Sequence, residues 1–331
     1  MKSILLNSVN YLSLTELPKP TAQMGSAVIK ILACGICGTD RHIYKGEYPS
    51  AKPVVLGHEF GGVIDQVATG SKFEIGDLVS VDPNIVCGTC PDCVAGRTAF
   101  CPKLTALGVN INGGLAEFAL VPETQIYKVS KKLNPLHLAF IEPTACCIRG
   151  FDIADLKGGE RIAVLGGGVM GQIVVQLAKL ANATKITLVT RQKSRRELAL
   201  SLGATDTVDP NIANYEQQME KYDVVFECAG AEETFNIAQV IARRGGAIVV
   251  LGLTAEKSFV PINPFNLVIK ELRIQGSFLN PLTQRRAADL IDAGKLQLDP
   301  LISKVLRLDQ VPEILDSSPA EGDIKYIVQP D

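Results

Sequence analysis

The run "RIAVLGGGVMGQIVVQLAKLAN", residues 161–182, constrains the fold more than any other stretch of the chain. A short buried strand runs into a glycine turn, and the turn opens an apolar helix, the order that begins a βαβ unit. The alternation then continues. "KITLVT" reads as a strand, "SRRELALSLG" as a helix, "YDVVFECAG" as a strand, "EETFNIAQVIARR" as a helix and "GGAIVVLGL" as a strand. Strands and helices in strict alternation predict an α/β unit, a doubly wound parallel sheet, from about residue 146 onward.

The chain before residue 146 has a different texture. "AVIKILA", "GGVIDQV", "DLVSVD" and "AEFALVP" are short strand-like runs separated by Gly, Pro and Asp, the pattern of an all-β unit. After about residue 280 one helix, "TQRRAADLIDAG", precedes further short strand-like pieces. With 331 residues, 47% of them apolar, the chain is long enough for about two domains with cores that need no disulfide support. A net charge of −2 offers no field for nucleic acid or an anionic membrane. No segment has the roughly 20 apolar residues of a spanning helix. The opening residues lack the apolar run of an export signal. The expectation is a cytoplasmic protein whose thiols stay reduced.

In that setting "CGTCPDCVAGRTAFC", with Cys87, Cys90, Cys93 and Cys101, reads as a closed four-thiolate zinc site. Gly88 and Pro91 help the backbone turn between ligands. A closed site cannot catalyse, so the chemistry is expected elsewhere.

"VLGGGVMG" places Gly166, Gly168 and Gly171 at dinucleotide-fingerprint spacing, with Val169 and Met170 entering the helix. Gly166 is expected to make the turn, Gly168 to let backbone approach a pyrophosphate and Gly171 to allow close packing. At the end of the next strand, where NAD sites carry an acid, stands Thr190. Arg191, Lys193, Arg195 and Arg196 follow it. A missing carboxylate and a cluster of cations favour the 2′-phosphate of NADP over NAD.

Upstream, Cys37 and His58 with a carboxylate are a donor set for a zinc ion that keeps one position open. Glu59 and Glu142 are both candidates for that carboxylate. His137 reads as structural. Cys34, Cys146, Cys147 and Cys228 read as small core residues. Tyr44 and Asn110 are candidate substrate contacts.

These motifs, with "GHEFGG", "GGLAEFALVP" and "IQGSF", cover nearly the whole chain in one order. Together they resemble the zinc-dependent medium-chain dehydrogenases/reductases, the alcohol dehydrogenase superfamily. "CGICGTDRHIYKGEYP", "GHEFGG" and "EPTA" are closest to its polyol (sorbitol-like) and threonine dehydrogenase branches. The resemblance implies a GroES-like catalytic domain from residues 1–145 and 280–331, with a Rossmann domain, residues 146–279, inserted into it. It implies one catalytic and one structural zinc per chain, and a homodimer or homotetramer. Cys37, His58 and Glu59 or Glu142 fall on the catalytic zinc positions. Thr39 and His42 fall on a proton relay that runs through the nicotinamide ribose. Cys87, Cys90, Cys93 and Cys101 fall on the structural lobe. The expected activity is reversible oxidation of a secondary alcohol, a polyol or sugar alcohol, to its ketone with NADP(H). The alternatives are a threonine- or diol-type dehydrogenase and a non-catalytic sensor of NADPH or zinc.

Overall fold

The computed structural model describes residues 1–211 and 219–330. Two compact units emerge, one from Met1–Ala145 with Pro281–Asp331 and one from Cys146–Asn280.

The first unit is built around the strand Ser26–Ile36, whose alternating apolar residues include Ile29 and Ile31 in the core. It pairs antiparallel with Glu59–Val67 along one edge, and with Phe118–Pro122 and Lys325–Val328 along the other. The sheet continues outward through Leu78–Val81 and Ile126–Lys128 on one side and Ile302–Leu306 on the other. The tail beyond residue 280 therefore completes the first unit. Close strand contact is enforced at Gly62, where a Cβ would stand 1.9 Å from the Lys30 carbonyl oxygen. A two-stranded ribbon, Asn84–Ile85 against Thr105–Ala106, closes the base of the loop that carries the four cysteines.

The second unit holds six parallel strands in the order Asp206–Val208, Lys185–Val189, Arg161–Leu165, Tyr222–Glu227, Ala242–Val250, Arg273–Gly276. Numbered along the chain this is 3-2-1-4-5-6, the Rossmann order, with its switch point between Arg161–Leu165 and Tyr222–Glu227. The inner strands are largely buried on both faces, as their Val-, Ile- and Leu-rich runs require. The helices Val169–Leu180, Lys193–Leu202 and Glu232–Ile241 follow their strands as the sequence predicts.

Two local expectations change. The helix predicted through "IARR" stops at Ile241, and Ala242, Arg243 and Arg244 already belong to the next strand. A register shift opposite Tyr222 and Val224 absorbs these residues, and Arg243 and Arg244 pair with Asp223 and Glu220. The segment Ile141–Ala154, which the sequence left unassigned, is a helix. Pro143 hides it in the sequence, yet a proline in a first turn removes only an N–H that has no helical partner.

In the second unit the Phe151 ring stacks on Phe226 with centroids 4.8 Å apart and planes at 19°. Phe226→Ala is expected to lower stability by about 3–5 kcal/mol, read from a chemical denaturation midpoint. A loss under about 1 kcal/mol would contradict this packing.

Candidate zinc and dinucleotide sites

The helix Gly38–Tyr44 starts on a cysteine. Cys37 takes the N-cap position, and its Sγ accepts the N–H of Thr39 at 3.5 Å. Asp40 returns the bond, accepting the N–H of Cys37 at 2.8 Å. This reciprocal cap holds the thiol at the N-terminal end of the helix. The Sγ lies 3.6 Å from the Thr39 hydroxyl. The ligand atoms of Cys37, His58 and Glu59 lie within 4.8 Å of one another.

Two residues that the motif reading passed over hold this trio. Asp40 is fully buried, and its Oδ1 stands 3.4 Å from Nδ1 of His58. Burial opposes charge on both groups and is overcome by each acting on the other, with Cys37 adding to His58 and the Cys37 N–H and Lys325 adding to Asp40. His58 is lifted well above its ordinary value and Asp40 is held below the usual carboxylate range. A carboxylate on one imidazole nitrogen orients the ring and leaves the other nitrogen for a metal. Lys325 is the second residue. Its side chain is 1% exposed, as is that of Glu59, and its ammonium donates to Glu59 Oε2. Desolvation works against this cation, but Glu59, Cys37 and Asp40 together outweigh it and raise Lys325 above its usual value. The pair fits because residue 35 is glycine: a Cβ there would meet Glu59 Oε2 at 2.5 Å and Lys325 Cε at 2.6 Å.

The other expected residues fall in different places. Glu142 is buried in the first turn of Ile141–Ala154 and does not join the trio. His42 sits in the last turn of its helix, one-third exposed, with Nδ1 2.7 Å from Glu47 Oε2. His137 pairs with Asp299 at 2.7 Å. Tyr44 is buried, and its hydroxyl lies 3.1 Å from Asp316 Oδ1 and 3.3 Å from the Asn10 carbonyl, two acceptors for its one proton. It braces the fold, which removes it as a candidate substrate contact. Asn110 caps a turn, accepting the Ala106 N–H at 3.1 Å.

The second cluster gathers Cys87, Cys90, Cys93 and Cys101, again with ligand atoms within 4.8 Å. All are free thiols. The sulfurs of Cys87 and Cys93 are 4.0 Å apart, and those of Cys87 and Cys101 3.6 Å. A disulfide needs about 2.05 Å, whereas a tetrahedron of sulfurs about 2.3 Å from zinc has edges near 3.8 Å. Backbone N–H groups point at the sulfurs, from Cys90 to Cys87 at 3.3 Å, from Cys93 to Cys90 at 3.4 Å and from Cys87 to Cys101 at 3.4 Å. Such donors favour thiolate, and those from Thr89 and Cys90 bring Cys87 down to about 6. Desolvation pushes Cys93 up to about 12. The donor set fits a zinc ion.

In the second unit Gly166 has φ +109°, and a Cβ would stand 2.8 Å from the Ala229 nitrogen. A Cβ on Gly171 would lie 1.9 Å from the Gly166 oxygen, so this position secures helix–strand packing. Gly168 has open space where its Cβ would be, and the helix Val169–Leu180 lacks a side-chain cap. The N–H groups of its first turn, including Val169 and Met170, therefore suit a pyrophosphate. Gly167, which the fingerprint does not specify, lets Thr190 and Arg195 pack against the turn; a Cβ would meet them at 2.9 and 3.1 Å.

The four cations after Thr190 are not equivalent. Arg191 is exposed and Arg195 half-buried. Lys193 is exposed 3.6 Å from Glu197. Arg196 is committed to the backbone and to Asp209.

Among the described residues no helix is long and apolar enough to cross a membrane. Residues 23–131 match the alcohol dehydrogenase GroES-like domain, and residues 169–293 match the zinc-binding dehydrogenase domain. D-arabinitol dehydrogenase 1 of Uromyces fabae is 30% identical, over 96% of this chain and 94% of that protein. A solved structure described as a zinc-binding dehydrogenase of Sinorhizobium meliloti 1021, bound to NADP, is 42% identical with TM-score 0.97, covering 99% of each chain. An alcohol dehydrogenase structure from Escherichia coli CFT073, complexed with NADH, is 29% identical with TM-score 0.92, also covering 99% of each chain. The chain belongs to the zinc-type medium-chain dehydrogenase/reductase family, the zinc-dependent alcohol and polyol dehydrogenases.

Proposed function

We propose that the protein interconverts a secondary alcohol of the polyol or sugar-alcohol class and its ketone, with NADP(H) preferred over NAD(H). The observation that carries the reading is the Cys37, His58 and Glu59 trio, which offers three ligands and leaves a fourth position for substrate. The name of the Uromyces relative supports the polyol class. The NADP of the Sinorhizobium structure, with Thr190 in place of an acid here, supports the cofactor.

In this reading zinc, when bound, supplies Lewis-acid polarisation of the alcohol oxygen, and the nicotinamide accepts the hydride from the carbinol carbon. The protein does the rest. Cys37, His58 and Glu59 hold the metal, Asp40 fixes the imidazole and Lys325 fixes the glutamate. The Thr39 hydroxyl, beside Cys37, would accept the alcohol proton as it gives up its own toward His42, by way of the nicotinamide ribose when the cofactor is bound, and His42 with its exposed partner Glu47 would release the proton to water. The helix Val169–Leu180 would receive the pyrophosphate, and Arg191 and Arg195 would supply the positive charge for a 2′-phosphate. Cys87, Cys90, Cys93 and Cys101 hold a second, structural zinc. Assembly as a homodimer or homotetramer belongs to the same reading. It is supported by the exposed Phe265, Val268 and Ile269 on the helix Pro264–Lys270, which precedes the edge strand Arg273–Gly276 in the chain.

Zinc-loaded protein is expected to turn over at least one compound from a panel of polyols, cyclic polyols, diols and threonine, faster with NADP than with NAD. Silence across the panel with NADPH still bound would remove the proposal. Cys37→Ser should carry one zinc fewer, lose turnover and keep NADPH binding, checked by metal analysis and fluorescence titration. Thr190→Asp should weaken NADPH by about tenfold or more through repulsion, and unchanged affinity would show that this position does not discriminate.

A further inference from the structure

The carboxylate missing at position 190 stands one strand away. Asp209 directly follows the strand Asp206–Val208, which pairs in register with Lys185–Val189, Val189 opposite Val208. Adjacent strands lie about 4.8 Å apart, so an acid there reaches the same end of the sheet as Thr190. Asp209 is not left to act on its surroundings. Arg196 meets its Oδ2 at 3.0 Å, both side chains being 17% exposed. The same guanidinium donates through Nη1 to the carbonyls of Thr190 at 2.6 Å and Arg191 at 2.7 Å. From the other side, the Thr190 N–H donates to the Val208 carbonyl at 3.1 Å. Gln172, fully buried, ties the carbonyls of Arg195 and Gly167 together at 2.9 and 3.3 Å.

We propose that Arg196 and Asp209 form a positioning pair that selects NADP over NAD without touching the phosphate. The proposal rests on the NADP preference argued above and assigns part of it to this pair. Arg196 acts in two ways. Its Nη1 fixes the two peptide groups that carry Thr190 and Arg191, setting where the Arg191 side chain starts. Its charge cancels Asp209, the acid that directly follows that neighbouring strand. A 2′-phosphate carries about −1.5 to −2 charge near neutral pH, so it feels an uncovered carboxylate, whereas the ribose hydroxyl of NAD tolerates or accepts one. The effect therefore falls on one cofactor and not on the other. A bond network that merely held the loop would affect both alike.

The test is fluorescence titration of the zinc-loaded protein with NADPH and NADH, for the wild type, Arg196→Met and Arg196→Met/Asp209→Asn. Arg196→Met is expected to weaken NADPH by about tenfold and to leave NADH within about twofold. The double variant should regain at least half of that loss on a logarithmic scale. Should Arg196→Met fold poorly, Arg196→Lys, which keeps the charge but lacks the planar guanidinium that places Nη1 against both carbonyls, is expected to weaken NADPH by about threefold with the same NADH control. Equal weakening of both cofactors, an unchanged ratio or no recovery in the double variant overturns the pair's role while the NADP preference of the wild type stands. A wild type that binds NADH as tightly as NADPH overturns the preference itself and the proposal with it.

Discussion

A lysine with almost no exposed side-chain surface has few stable places in a protein, and Lys325 has one of them, against Glu59. Breaking a buried pair of this kind by removing one partner costs about 3–5 kcal/mol, because the other charge is left desolvated. The constraint spreads from there. Glu59 begins the strand Glu59–Val67, Lys325 begins Lys325–Val328, and both strands flank Ser26–Ile36, which must carry glycine at position 35 to make room. Metal site and central sheet are thus one construction. Cys37 follows directly on that strand, and its helix cap brings Asp40 to His58.

This arrangement explains what the sequence disclosed and what it withheld. The four-cysteine lobe, the Gly166–Gly171 turn and the Cys37–Asp40 segment are local patterns, since backbone geometry forces their donors together within a few residues. Asp40 was available to such a reading: an acid three residues after an N-cap is a capping-box position. It escaped because the motif drew attention to the ligand and not to its brace. Lys325 offered no local signal. A lone Lys before "YIV" looks like a solvated strand end, and only the pairing of distant strands puts it beside Glu59, 266 residues away.

The cations after Thr190 make the same point for the dinucleotide site. In the sequence, Arg191, Lys193, Arg195 and Arg196 form one basic cluster. In the fold they divide by what each meets: solvent for Arg191, Glu197 for Lys193, the glycine turn for Arg195 and a neighbouring strand for Arg196. Helical spacing explains Lys193 and Glu197, because residues four apart share a face. Asp209 enters only through the parallel pairing of Lys185–Val189 with Asp206–Val208. The helix Ile141–Ala154 was missed for a different reason, because Pro143 reads as a breaker when its place in the first turn is unknown.

The first unit draws its strands from both sides of the second in the chain, and this sets an order of events during synthesis. Residues 146–280 leave the ribosome as one contiguous stretch and can fold as they appear. The strand Ser26–Ile36 is made early, yet its neighbour Lys325–Val328 is translated only after the whole second unit. Until then one edge of the sheet is open and Glu59 has no counterion. The nascent protein thus passes through a stage in which the dinucleotide-binding half is complete while the metal-binding half still exposes an unpaired strand edge. An unpaired edge of that kind is where a nascent sheet is open to misassembly.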